Sequence, residues 1–173
     1  MAGLRLFGPP PQGAGGGIVG GRYFRVDEAN RLLPTVNAAM TRLQAIDAEA
    51  RRRQQEAAAL AGIGRGPDGR HIMSADVRQA REAYETLVKQ GRTILDSIRG
   101  LGLEVRSIEY GLVDFPACVR GEDVWLCWRL GEARVGYYHA AGEGFAKRRP
   151  LAAADAHRGD AAHAGEAEAA GAG

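Results

Sequence analysis

Asp114, Cys127, Glu132 and His139 are the residues whose types could do chemistry together in this sequence. Carboxylate, thiolate and imidazole are all ligands for zinc or iron, and a Cys–His pair is also the pairing from which a nucleophile and its base are built. No compact ligand motif such as CxxC or HExxH is present, so a metal site would have to be assembled by the fold. A second chemistry is carried by Arg129 and Arg134, close in sequence to Trp125 and Tyr138, and by the basic run Lys147-Arg148-Arg149. Guanidinium groups beside aromatic rings suit a small anionic or aromatic ligand through charge-assisted bonds and cation–π contacts. Each residue also has a plainer reading. Cys127, between Leu126 and Trp128, reads as a small buried hydrophobe, and Asp114 ahead of Phe115-Pro116 as a carboxylate bonding backbone amides. Glu132 reads as a solvated turn residue, His139 as a hydrogen-bonded structural histidine, and the arginines as side chains lying over aromatic rings. No catalytic role is assigned to any of them.

The elements that must position these residues follow from a change of period. Beyond Leu103 the apolar residues alternate with a period of two, and Val, Ile, Tyr and Trp are enriched. Segments 103–108, 112–119, 124–130 and 134–139 read as short strands of a three- to four-stranded antiparallel meander. Gly121-Glu122 and Gly131-Glu132 have glycine first, the order of a type II′ hairpin turn. A two-residue turn at Gly131-Glu132 pairs Cys127 with Gly136 and His139 with Val124, which places Cys127 and His139 on opposite faces. A slip of one residue reverses that placement. In this register Cys118, Trp125, Cys127, Arg129, Arg134 and Tyr138 share one face. Val124, Leu126, Trp128, Leu130, Val135, Tyr137 and His139 share the other, more apolar face, which should pack on helices.

Before the sheet the period is helical. Asp27 reads as an N-cap with Glu28 in the first turn, and Pro34 as a kink. Val36, Met40, Leu43, Ile46, Ala50, Ala57 and Leu60 form one stripe that ends at the glycine-rich segment 62–69. Ser74 and Asp76 open a second helix with the stripe Val77, Ala80, Tyr84, Leu87, Gly91, Ile94 or Leu95, and Ile98, closed by Gly100 or Gly102. Two stripes of similar length make a long antiparallel helical hairpin or coiled coil. The fold class is therefore α+β, with one domain over 23–151, divided into a hairpin (23–102) and a sheet region (103–151). The flanking segments 1–22 and 152–173, rich in Gly, Pro and Ala, are expected to be disordered.

Gly111-Leu112-Val113-Asp114-Phe115-Pro116, Leu126-Cys127-Trp128-Arg129-Leu130-Gly131-Glu132, Tyr138-His139, Gly144-Phe145 and Lys147-Arg148-Arg149-Pro150 together resemble the Domain of Unknown Function 2203 family. Phe24, Asp27-Glu28-Ala29-Asn30 and Leu32-Leu33-Pro34 are similar to its N-terminal signature. The resemblance implies a small bacterial protein whose identity lies in the sheet region, and it carries over no activity.

Composition narrows the partners. With 173 residues, 45% hydrophobic and 25% charged, the chain can build a real core, and a net charge of +2 gives no nucleic-acid footprint. Two cysteines are too few for a disulfide scaffold or an all-cysteine zinc site and fit reduced thiols in a cytoplasm. No apolar run is long enough for a membrane span or a signal-peptide core. Stripe residues left over on a two-helix hairpin need cover, so a homodimer or another protein is expected as partner. The first functional expectation is thus a non-enzymatic interaction or adaptor module without a resident cofactor. The alternatives are a zinc- or iron-binding or redox protein using Cys127 and His139 with Asp114 or Glu132, and a binder of a small anion at Arg129, Arg134 and Arg149 with Trp125, for which Arg148 is a further candidate contact; Trp128 is a further candidate functional residue.

Overall fold

Helical periodicity in the first half of the chain gives two long helices, α1 (Val26–Ala61) and α2 (Ala75–Gly100), in the computed structural model, which describes residues 22–61 and 75–152. The expected disordered tails, apart from Arg22 and Ala152, and the glycine-rich tip with Ser74 lie outside the described residues. Helix α1 starts two residues earlier than the sequence suggests. Glu28 Oε2 accepts the Arg25 N–H at 2.9 Å and the Arg25 carbonyl accepts Ala29 N–H at 2.9 Å, so Arg25 is the N-cap and Glu28 closes half of a capping box. Asp27 sits inside the first turn, where it pairs with Arg31 at 2.6 Å. Pro34 lies within a single continuous helix instead of separating two, exposed on its outer side. Helix α2 ends in a Schellman motif: Leu103 N–H reaches the Ile98 carbonyl, Gly102 N–H reaches Arg99, and Gly102 takes φ +84°.

The predicted stripes face each other. Leu33, Val36, Met40, Leu43, Ile46 and Ala50 of α1 are buried, as are Val77, Ala80, Gly91, Leu95 and Ile98 of α2. The helices pack together as an antiparallel hairpin, and Leu33, Val36, Met40, Leu43, Leu95 and Ile98 also join the core formed with the sheet. Among the described residues no helix is long and apolar enough to cross a membrane.

The sheet has five antiparallel strands in sequential order, β1 (Glu104–Ser107), β2 (Leu112–Val119), β3 (Glu122–Arg129), β4 (Tyr137–Ala140) and β5 (Arg149–Pro150). The fifth strand, which alternation over two residues cannot announce, forms because the chain turns back through a short 3-10 helix (Phe145–Lys147) and bonds Leu151 N–H to the Gly136 carbonyl at 2.9 Å. Val119 pairs with Glu122, so the β2–β3 turn is Arg120-Gly121, not Gly121-Glu122. Both turn residues have positive φ, +56° and +82°, the type I′ geometry that matches strand twist.

The β3–β4 connection overturns the expected two-residue turn. Strand β4 begins at Tyr137 instead of 134, and residues 130–136 form a loop fastened to its surroundings. Trp128 Nε1 donates to the Glu132 carbonyl at 2.9 Å, Glu132 Oε2 accepts Arg129 N–H at 3.0 Å, and Val135 N–H donates to Asn30 Oδ1 on α1 at 2.8 Å. These anchors set the register to Cys127↔Tyr137 and Trp125↔His139, one residue from the hairpin pairing. Cys127 and His139 therefore share a face, and Tyr138 exchanges sides with Tyr137 and His139 relative to the sequence grouping. Val113, Phe115, Ala117, Val124, Leu126 and Trp128 pack on the helices with Tyr138 alongside, while Asp114, Pro116, Trp125, Cys127, Tyr137 and His139 form the far side. Pro116 is tolerated in this inner strand because its carbonyl serves Phe24 N–H at 2.7 Å, beyond the end of β1, where its missing N–H breaks no ladder bond with β3.

Candidate metal centre

On the far side, Asp114 of β2 stands directly across from Cys127 of β3, and His139 of β4 stands across from Trp125, diagonal to Cys127. Alternation points all three side chains the same way. They are as buried as the apolar core, at 1%, 0% and 2% exposure, and one ligand atom from each lies within 4.8 Å of the others. With metal bonds of about 2.0–2.3 Å, tetrahedral donors sit about 3.5 Å apart, so small side-chain adjustments would close this triad around an ion.

The imidazole decides what the cluster needs. His139 Nδ1 is 2.9 Å from the Ala140 carbonyl, which only accepts, so Nδ1 carries a proton and donates. Nε2 then faces Asp114 Oδ2 at 3.2 Å, and that oxygen already accepts Arg106 Nε at 2.7 Å. Two lone pairs cannot face each other in a dry interior, so a positive centre belongs on Nε2: a second proton or a metal ion. Burial draws the His139 pKa down, but the hydrogen bonds to Asp114 and to the Ala140 carbonyl and the Asp114 charge outweigh it, leaving it raised. The other carboxylate oxygen, Asp114 Oδ1, is buried with no hydrogen-bond partner. Such an orphan is costly unless something occupies its lone pairs.

Cys127 is no free nucleophile. Burial pushes its thiol pKa well up, the Asp114 charge pushes it further, and the opposing pull of Arg148 and Arg106 is too weak to reverse this. The thiol donates to the Trp125 carbonyl at 3.4 Å. A metal ion is the agent that deprotonates such a buried thiol, because a coordinating sulfur is a thiolate outright.

A family model described as "Uncharacterized conserved protein (DUF2203)" matches residues 22–151, three quarters of the chain. The chain belongs to this family. No curated protein and no solved structure matches it. The matched span of this DUF2203 protein contains every described strand and the whole of the Asp114–Cys127–His139 cluster.

The remaining sequence candidates divide into a roof and bystanders. Glu132 is no ligand to the cluster: it bonds Arg129 N–H and holds Arg148 Nη1 at 2.8 Å. Arg148 lies over the rings of Tyr137 and Phe145 at 4.3 and 4.2 Å. Trp128 is fully buried on the helix side, Arg129 and Arg134 are exposed, and Arg149 pairs with Glu143 at 3.0 Å. The aromatic partner expected for Arg129 and Arg134 is taken by Arg106, which sits 4.7 Å over the Trp125 ring while bonding Asp114 and, at 3.1 Å, Glu104. Sequence reasoning missed Arg106 because its position depends on a β-bulge: Val105 pairs with Val113 and Ser107 with Leu112, leaving Arg106 as the extra residue re-aimed onto the far side.

Proposed function

We propose that this DUF2203 protein binds a single transition-metal ion, zinc or ferrous iron, through Asp114 Oδ1, Cys127 Sγ and His139 Nε2. The observation that carries the reading is the imidazole flanked by two oxygens beside an unpartnered buried carboxylate oxygen. A donor set of one sulfur, one nitrogen and one oxygen suits the borderline ions, and the Nδ1–carbonyl bond is the outer contact that fixes a ligating histidine. The reading belongs in a reducing compartment such as a bacterial cytoplasm, where Cys118 and Cys127 stay thiols.

The test is the metal content of natively purified protein by mass spectrometry, followed by cobalt(II) reconstitution of the metal-free chain. Near-stoichiometric zinc or iron and a thiolate-to-cobalt absorption band are expected, and Cys127→Ser should abolish the band. A metal-free protein that takes up neither cobalt nor zinc would leave Nε2 with its second proton and make the cluster an ion network that only fixes the sheet.

Self-association is a separate proposal. It is supported by Ala57, Leu60, Tyr84 and Leu87 being only half-buried along the distal half of the hairpin. A dimer mass at micromolar concentration is expected, and a concentration-independent monomer would remove it.

A further inference from the structure

We infer that the metal centre takes a small oxyanion, a carboxylate or a phosphate, as an additional ligand bound beneath Arg106 and Arg148; the inference rests on the metal reading above. Asp114, Cys127 and His139 reach an ion from neighbouring strands and from one face of the sheet, as a tripod. Among the described residues no fourth His, Cys, Asp or Glu joins the cluster. Three protein donors leave the coordination sphere of zinc or iron incomplete, and the missing donor has to come from the side away from the sheet.

Two guanidiniums line that side. Arg106 lies over Trp125, the cross-strand partner of His139, and Arg148 lies over Tyr137, the cross-strand partner of Cys127. Each guanidinium thus stands above the immediate neighbour of a ligand. Their side chains are 24% and 22% exposed while the three ligands are almost wholly covered, so solvent meets the arginines first. A thioether gains nothing from two guanidiniums and a neutral amide offers one acceptor oxygen without a charge, whereas an oxyanion gains forked ion-pair hydrogen bonds as well as the metal bond. Arg148 already holds one carboxylate, Glu132, and Arg106 holds two, Asp114 and Glu104. An incoming oxyanion therefore competes with Glu132 for Arg148.

The experiment uses the full chain loaded with cobalt(II), titrated separately with acetate and with inorganic phosphate, and followed by the cobalt visible bands. A saturable band shift is expected from at least one of them, and the arm that responds at lower concentration identifies the class. Arg148→Gln should weaken the responding anion by about tenfold or more, the loss of one charge-assisted contact, with cobalt uptake retained. Glu132→Gln should strengthen it, because Arg148 is released. Absence of any cobalt–thiolate band defeats the metal reading itself. A normal cobalt band that neither anion moves defeats this inference alone, as does an anion response equal in the wild type and in both variants.

Discussion

At their centres the two faces of the same sheet are equally dry and are built from opposite chemistry. On the helix side Phe115, Leu126 and Trp128 are wholly buried, and on the far side Asp114, Cys127 and His139 are covered to within 2%. Burial on the first side is driven by removal of apolar surface from water, at roughly 25 cal/mol per Å². Burial on the second side runs against desolvation of a carboxylate and an imidazole, and is compensated only by specific partners such as Arg106 and the Ala140 carbonyl. A small domain could have closed its far side with aliphatic residues at lower risk. The difference teaches that the helix side secures the fold, while the far side holds a polar group set that the fold itself does not require.

The comparison breaks most visibly if the helix side proves dispensable. Trp128→Ala removes the largest fully buried side chain and its Nε1 bond to the Glu132 carbonyl, and should cost about 3–5 kcal/mol in chemical denaturation. Because that bond helps pin the 130–136 loop, the variant should also loosen the register that brings His139 to Cys127. On the far side, Asp114→Ala leaves the buried His139 without its carboxylate and takes one from Arg106, so a loss of about 3 kcal/mol is expected in the same measurement. A far-side loss below about 1 kcal/mol would show that the cluster is not held by Asp114.

How much of this is legible in the sequence depends on whether local chemistry or tertiary anchoring sets each feature. The hairpin is readable because Val36, Met40, Leu43 and Ile98 repeat at helical spacing, and those residues are buried. The strand cores are readable from alternation, and β2 matches its expected bounds. The grouping of Cys127 with His139 is not, because it turns on one residue of register. The Gly131-Glu132 sequence suggests a tight turn, whereas the loop is held open by Trp128, Glu132, Val135 and Asn30, and Asn30 lies 105 positions from Val135. Arg106 is hidden for the same reason, since a bulge in β1 has no local signature here. Asp114, Cys127 and His139 stand out by type, yet their meeting is a tertiary fact. Glu132 and Arg148 stand out too, but as clamp and roof they do different work from that expected.

Metal removal sharpens the comparison without changing a side chain. If the far side is a metal centre, a chelator should lower the wild-type stability by about 2.7 kcal/mol relative to zinc at a hundredfold excess over its Kd. Cys127→Ser should show no such difference, although serine itself fits the strand. Equal chelator effects in wild type and variant would place the zinc elsewhere. A helix-side variant such as Phe115→Leu should keep the full zinc-dependent increment, because Phe115 faces away from all three ligands.

The smallest expected effect calibrates the others, since it touches neither face. Gly121 sits in the β2–β3 turn at φ +82° with open space around it, so an added methyl group meets no atom within 4 Å. Gly121→Ala therefore acts through the backbone alone, and a left-handed alanine costs about 1 kcal/mol. The variant should lose that stability in denaturant while its zinc increment stays at the wild-type value. If the increment fell together with global stability, loss of zinc response in Cys127→Ser would no longer report a ligand. If it holds, stability and metal binding are separable, and the far side carries its own free energy.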